Sequence, residues 1–324
     1  MLEIDEISGP SLDVVKPERK ICLVSDQETF IKCLCDDQTT SNIEVHTVAN
    51  GVFYIDNALS ESECSNLRLA TDSNSSLSFW SPQGRGNEDV RRFRDADTIE
   101  LGSNEFVNTL WERLSSVVND IHLELSISDD ETSLDWEREL VGDWMPTTFN
   151  NDLLFARYPC GGAFAPHTDG RAVHDFNTRS FYSVIIFLNT IPKGCGGGTR
   201  FYAADAVKKL AAHTNVDGKV HWSSDPSLIT AEVDAVAGRL LIFHQSMVHE
   251  GVPPVSPYMK YIIRSDVMLS RTPAICDSPA DREAYRIFRQ AEDLAEEGRV
   301  NEAVPLFKRA LKLSPEMARI MGQA

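Results

Sequence analysis

The stretch Phe181-Tyr182-Ser183-Val184-Ile185-Ile186-Phe187-Leu188-Asn189 constrains the fold more than any other part of the chain. A half-buried strand alternates apolar and polar residues, whereas a near-continuous apolar run marks a strand covered on both faces. The chain around it reads as further strands punctuated by glycine and proline. Leu153–Tyr158 ends at Pro159 and turns at Gly161-Gly162, Thr199–Tyr202 follows Gly194-Cys195-Gly196-Gly197-Gly198, and Arg239–His244 precedes Lys260–Met268 across Pro253-Pro254 and Pro257. Many short strands with such turns predict an α+β fold built on a double-stranded β-helix, or jelly roll, with helices packed outside.

Helices are expected on both sides of this core. Ser60-Glu61-Ser62-Glu63 has the form of a capping box and starts a helix to about Thr71; Arg91–Leu101 reads as a strand. Phe106, Leu110, Leu114 and Val117 recur at helical spacing within Asn104–Leu123, so that stripe is core packing. Residues 203–228 read as an insertion, helical from Ala204 to Ala212. After Asp281 two helices are expected, Asp281–Glu297 and Asn301–Leu313, with Asn301 as N-cap and Gly298-Arg299-Val300 between them. The domain reading is an N-terminal extension over 1–45 with one strand and one helix, a main domain over 46–272 with its core at 151–270, and a helical hairpin over 279–324.

Charge and cysteine usage narrow the partners. The 324 residues carry 31 Lys plus Arg against 49 Asp plus Glu, a net charge of −18. A chain this acidic repels phosphate backbones and anionic bilayers, so neither nucleic acid nor membrane is expected as a partner. The first residues lack a basic start with an apolar core, and no apolar run approaches the ~20 residues of a membrane span. Seven scattered cysteines suit reduced thiols and a cytoplasmic or nuclear setting; Cys33-Leu34-Cys35 has no matching second pair.

Chemistry concentrates in Arg157-Tyr158-Pro159-Cys160-Gly161-Gly162-Ala163-Phe164-Ala165-Pro166-His167-Thr168-Asp169. His167 and Asp169, two apart, project from one face of an extended chain. One imidazole and one carboxylate supply two thirds of the facial triad that binds non-haem Fe(II); the bland alternative is a solvated turn. His249, just past the strand ending at His244, supplies a third donor if the jelly roll sets these strands side by side. Lys260 and Arg264 share a face of the next strand, and either could clamp a far carboxylate.

Residues 157–169, the strand ending Phe187-Leu188-Asn189, the turn Gly197-Gly198-Thr199-Arg200-Phe201, and His249-Glu250-Gly251 with Lys260 together resemble the Fe(II)/2-oxoglutarate dioxygenases, most closely the prolyl 4-hydroxylase type, over roughly residues 50–270. The resemblance implies His167, Asp169 and His249 as iron ligands. It places Lys260 on the distal carboxylate of 2-oxoglutarate, Tyr158 in a hydrogen bond to the same molecule, and Ser183 and Phe187 on the inner wall. Pro253-Pro254 lengthens the turn before Lys260 by a residue relative to collagen-type enzymes, so Arg264 stays open as the clamp, with Lys260 preferred. The implied cofactor is Fe(II), with 2-oxoglutarate and O2 as co-substrates and ascorbate as reductant. The implied reaction hydroxylates a C–H bond, most simply of a prolyl or other residue of a protein or peptide, and releases succinate and CO2; a small-molecule substrate fits the same core. The missing secretory start speaks against collagen. Arg171, His174, Asp175, Asn177 and Arg179, on the loop after Asp169, are candidates for substrate contact.

Gly298, Ala303, Phe307, Ala310 and Pro315, with Ala291, fall at the offsets of a tetratricopeptide repeat, so residues 282–315 resemble one such unit. A single repeat cannot bury both faces. The hairpin either docks on the main domain or takes a protein partner. Two other functional classes remain: a catalytically silent jelly-roll adaptor that binds a partner through its C-terminal helices, and a cupin-like metal enzyme that uses no 2-oxoglutarate. Succinate release separates the first reading from both.

Overall fold

A computed structural model describes residues 43–73, 88–128 and 139–322. The strand and helix expected in the extension as far as residue 42, and Cys33-Leu34-Cys35, lie outside the described residues. The order of elements is β1 (Glu44–Ala49), β2 (Val52–Asp56), α1 (Glu61–Ser73), α2 (Glu88–Phe93), β3 (Asp97–Gly102), α3 (Asn104–Asp120), β4 (Leu125–Ile127), β5 (Gly142–Phe149), β6 (Asp152–Tyr158), β7 (Phe164–His167), β8 (Val173–Asp175), β9 (Thr178–Phe187), β10 (Thr199–Tyr202), β11 (Ala211–Thr214), β12 (Val220–Ser223), β13 (Ile229–Val233), β14 (Leu240–His244), β15 (His249–Gly251), β16 (Lys260–Thr272), α4 (Pro279–Glu296), α5 (Val300–Leu313) and α6 (Pro315–Ile320).

The strands form the two sheets of a jelly roll. The larger runs β1-β2-β14-β9-β16-β5-β4, with β6 and then β3 continuing from the first half of β16; the smaller runs β13-β10-β15-β7. β9, which carries most of the near-continuous apolar run, lies centrally between β14 and β16. Its two faces feed two cores. Val184, Ile186 and Leu188 turn outward onto α1 and α3, where Leu67, Phe106, Leu110 and Leu114 are fully buried. Ile185 and Phe187 turn inward between the sheets, against Tyr158, Phe201, Phe243 and Ile262. Continuous hydrophobicity is thus explained by cover on both sides.

The capping box at Ser60 forms, with Ser60 Oγ accepting from Glu63 N at 3.1 Å and Glu63 Oε2 accepting from Ser60 N at 2.7 Å. The same Glu63, 1% exposed, receives a two-pronged ion pair from Arg113 on α3, at 2.8 and 3.0 Å. Arg113 thereby fastens α3 to α1. Replacing Arg113 with methionine would leave a carboxylate buried without its cation, an expected loss of about 3–5 kcal/mol. Chemical denaturation of the variant measures it; a loss below about 1 kcal/mol would show the pair to be dispensable.

Several sequence expectations need correction. Arg91–Phe93 belongs to α2 and not to a strand: Arg91 and Arg92 fall in the last turn, where cations complement the helix dipole, and β pairing begins with a single bridge from Arg94 to Phe164 before β3 starts at Asp97. The segment expected to be helical from Ala204 to Ala212 is a 3-10 turn over Ala204–Lys209 followed by the β11–β12 hairpin. Asn215 makes that hairpin, its side-chain oxygen accepting from Asp217 N and Lys219 N at 3.0 Å, with Gly218 at φ +77°. β5 escaped the sequence reading because Pro146 interrupts it; a bulge in β5, which leaves Thr147 without a partner opposite Met268 and Leu269, accommodates that proline. The N-cap expected at Asn301 is Arg299.

The C-terminal helices form a docked hairpin. Ala284, Ile287, Ala310 and Met317 bury against Phe176 from the β8–β9 turn, and Phe288 meets Phe307 edge-on at 4.9 Å. The first helix is anchored by a capping box at Ser278. Among the described residues no helix is long and apolar enough to cross a membrane.

Candidate metal centre

Three side chains distant in sequence meet at one edge of the smaller sheet. His249 opens β15 and pairs directly with His167, which ends β7. Two residues beyond, the Asp169 backbone N donates to Gln245 O at 3.0 Å, which fixes the carboxylate beside both imidazoles. His167 Nε2 lies 3.6 Å from Asp169 Oδ1, and His249 Nε2 lies 3.7 Å from Asp169 Oδ2. One donor atom from each residue falls within 4.8 Å of the others. These separations are too long for hydrogen bonds and short enough for one shared cation.

Tautomers are set from outside the cluster. His167 Nδ1 is 2.7 Å from Ala165 O, and His249 Nδ1 is 3.0 Å from Met247 O. A carbonyl can only accept, so each Nδ1 carries a proton and each Nε2 is the nitrogen left to face the centre as a ligand. Burial drives the His249 pKa down to about 3, so that imidazole is neutral. Burial opposes the charge on Asp169, but His167, His249 and Arg264 outweigh it and hold the carboxyl well below its usual range. Ser183 Oγ donates to Asp169 Oδ2 at 2.5 Å. Two imidazoles with Nε2 turned to the centre and one carboxylate fit a divalent first-row ion and match the donor set of non-haem Fe(II).

Aromatic rings wall this cluster. Phe164 stacks on His167 at 3.6 Å between centroids, and Phe243 lies 4.5 Å from the His249 ring. Tyr158, Phe187 and Ile262 add apolar surface from the inner faces of β6, β9 and β16.

Lys260 is the other unusual group. Its side chain is among the largest fully buried ones, 2% exposed, lying over the rings of Tyr158 and Phe187 at 5.3 and 5.5 Å. Its Nζ donates to Gly198 O at 3.0 Å, and among the described residues no carboxylate pairs with it. Burial presses its pKa down to about 7, against the pull of Glu250. Arg264, one turn of the pleat further and on the same inner face, already faces two carboxylates: Asp266 at 3.0 Å and Asp169 at 3.6 Å. The register places Lys260 opposite Tyr158 and Ile262 opposite Phe187, so Tyr158, Ser183, Phe187 and Lys260 line one interior.

Of the loop residues weighed for substrate contact, three serve the scaffold. Arg179 is 3% exposed and donates to Glu139 Oε1 at 3.1 Å. Asn177 donates to Ile275 O and accepts from Ile275 N, tying the loop to the chain before α4, and Asp175 Oδ1 accepts from Asn177 N. Only Arg171 and His174 are exposed.

Two participants escaped the sequence reading. Arg94 hydrogen-bonds the Tyr158 side chain and stacks over Phe164 at 4.9 Å. It lies just past α2, in a single β-bridge to Phe164, and nothing local marks its reach to Tyr158. Glu250, 1% exposed, accepts from Tyr202 Oη and from Ser223 Oγ at 2.9 Å, with Arg200 at 3.6 Å. Burial raises its pKa. The signal was present in His249-Glu250-Gly251, a charged residue inside a strand too short to expose it.

No curated protein matches the chain. Solved structures of similar shape include a collagen prolyl hydroxylase of Paramecium bursaria Chlorella virus-1 in complex with 2OG (16% identity, 68% of this chain and 96% of that one, TM-score 0.38). A Pseudomonas putida prolyl-4-hydroxylase gives 16% identity over 68% of this chain and 92% of that one, TM-score 0.39. A Trichoplax adhaerens prolyl hydroxylase in complex with a hypoxia-inducible-factor peptide gives 19% identity over 76% and 88%, TM-score 0.41. The family model described as the 2OG-Fe(II) oxygenase superfamily matches residues 153–265, the segment that holds His167, Asp169, His249, Lys260 and Arg264.

Proposed function

We propose that the protein is an Fe(II)- and 2-oxoglutarate-dependent dioxygenase that hydroxylates a C–H bond and releases succinate and CO2. The observation that carries the reading is the convergence of His167, Asp169 and His249, with both Nε2 atoms turned inward, beside a buried lysine that among the described residues has no carboxylate partner. His167, Asp169 and His249 hold the iron. When bound, that ion supplies the oxidative chemistry, which none of the twenty side chains can perform alone.

The rest is the work of this chain. Ala165 O and Met247 O keep the two imidazoles in the ligating tautomer. Ser183 and Arg264 hold the Asp169 carboxylate in place. Lys260 receives the distal carboxylate of 2-oxoglutarate, Tyr158 donates to the same group, and Arg94 positions the phenol. Phe187, Ile185 and Ile262 keep the chamber dry, which strengthens the Lys260–carboxylate contact by lowering the local dielectric. Arg264 is a poorer clamp because Asp266 and Asp169 already balance its charge. The substrate class is a prolyl or other residue of a protein or peptide, following the family resemblance, and ascorbate is the reductant that restores ferrous iron. The domain covers 46–272, with the 279–324 hairpin buttressing the β8–β9 turn; its repeat-like spacing leaves residues 282–315 as the place for a protein partner.

Lys260 gives the reading a signature independent of turnover. With its pKa near 7 in the free chain, Nζ is mostly uncharged at pH 8. An incoming carboxylate raises that pKa, so binding draws in a proton, close to one per site at pH 8. Calorimetry of 2-oxoglutarate binding in two buffers of different ionisation enthalpy measures it. Uptake in the wild type, lost in Lys260→Met, is the expected result; equal heats in both buffers would place the carboxylate elsewhere. The functional test is succinate release by the purified chain with Fe(II), O2 and 2-oxoglutarate.

A further inference from the structure

We propose that the cleft between α2, the 159–163 turn and the β11–β12 hairpin anchors an acidic side chain of a polypeptide substrate, so that the protein selects sites flanked by glutamate or aspartate. This rests on the oxygenase reading above only for what happens to the substrate afterwards.

The cleft has a volume of about 400 Å³, and Arg91, Arg92, Lys219, His221 and Asp95 supply its ionisable walls. Among the described residues that line it, three permanent cations and one carboxylate are found, on a chain whose net charge is −18. Charges beyond about 8 Å are largely screened at physiological salt, so an occupant of the cleft meets the local cations and not the chain average. Asp95 is engaged by Lys219 Nζ at 3.3 Å, while Arg91 is exposed and, among the described residues, makes no ion pair.

His221 is the second observation. It is 8% exposed and lines the cleft, yet its buried Nδ1 has no hydrogen-bond partner among the described residues. On the other side of the ring, Nε2 stands 4.0 Å from Glu250. A buried polar atom without a partner costs free energy, and the His221 ring on this wall, not held by a hydrogen bond at Nδ1, is free to turn toward an occupant of the cleft. The walls are fixed rather than loose: Asn215 Nδ2 donates to Gly161 O at 3.0 Å, and Asp95 N donates to Ala163 O at 2.9 Å.

The cleft adjoins the metal centre along the chain itself. Ala163 on its wall is followed by Phe164, stacked on His167, and Arg92 is followed by Phe93, whose ring lies 6.4 Å from that of His167. A peptide held there by one carboxylate therefore reaches the centre within a few residues, at about 3.3 Å per extended residue. A polynucleotide fits the observations less well, because its phosphates would continue past this small cleft over a surface rich in the remaining carboxylates.

The test uses fluorescein-labelled proline-containing peptides with glutamate on both sides, matched peptides with glutamine, and a single-stranded oligouridylate. Binding is read by anisotropy on the full metal-free chain, so the result does not depend on whether the centre turns over 2-oxoglutarate; wild-type succinate release reports on that separately. Expected are affinity for the glutamate peptide about tenfold or more above that for the glutamine peptide, a preference that falls with salt, and loss of the preference in Arg91→Glu/Lys219→Glu. The charge-conserving pair Arg91→Lys/Lys219→Arg keeps the preference, which separates charge from fold. Equal affinity for both peptides, a preference that survives charge reversal, or tighter binding of the oligouridylate would overturn the proposal.

Discussion

Replacing His249 with alanine is expected to abolish succinate release from 2-oxoglutarate, with or without a hydroxylation substrate. His249 contributes one of only three donors, and its ring also packs on Phe243 and pairs in register with His167. Outer partners of metal ligands already cost 10–100-fold in affinity or activity when removed, so loss of a ligand should cost about 100-fold or more. His244→Ala is the control. That ring bonds to Ser246 Oγ at 2.7 Å and meets Tyr182 edge-on, away from the centre, so release should change little. Succinate measured by mass spectrometry gives both values. Equal rates for wild type and His249→Ala would remove the metal assignment.

The second large effect is expected at Lys260. Truncating one partner of a desolvated, charge-assisted pair typically costs 2–5 kcal/mol, so Lys260→Ala should raise the 2-oxoglutarate concentration for half-maximal rate by about thirtyfold or more. The iron requirement should barely move, because Lys260 touches none of the three ligands' side chains. Lys260→Met, closer in volume, checks that the shift reflects charge and not a cavity between the Tyr158 and Phe187 rings. An unchanged requirement in both variants, with a rise in Arg264→Ala, would transfer the clamp to Arg264.

Much of this fold is written locally. The run 181–189 demanded cover on two faces and found it, and the capping box at Ser60 forms as its residues require. The short glycine- and proline-bounded strands did imply two sheets. Legibility failed where context outweighs local pattern. Arg91 to Phe93 have no strong apolar period, so a helix dipole and the neighbouring hairpin decide their conformation. β5 is disguised by Pro146, and the β11–β12 hairpin depends on one asparagine side chain acting as the turn. For the candidate site, the spacing of His167 and Asp169 was readable, but their meeting with His249 is a matter of sheet register, set by pairing between β7 and β15. The roles of Arg94 and Glu250 depend on the same kind of register, since their partners, Tyr158 and Ser223, come from other strands; for Glu250 only its place inside a short strand was a local sign.

Anaerobic titration of the metal-free chain with Fe(II), read as bound iron per chain, addresses the central claim without waiting for a substrate. One tight equivalent in the wild type, and none in Asp169→Ala or His249→Ala variants that keep the wild-type circular dichroism, is the expected result. A wild type that binds no iron, or variants that bind it as the wild type does, would mean that these three side chains do not form the centre.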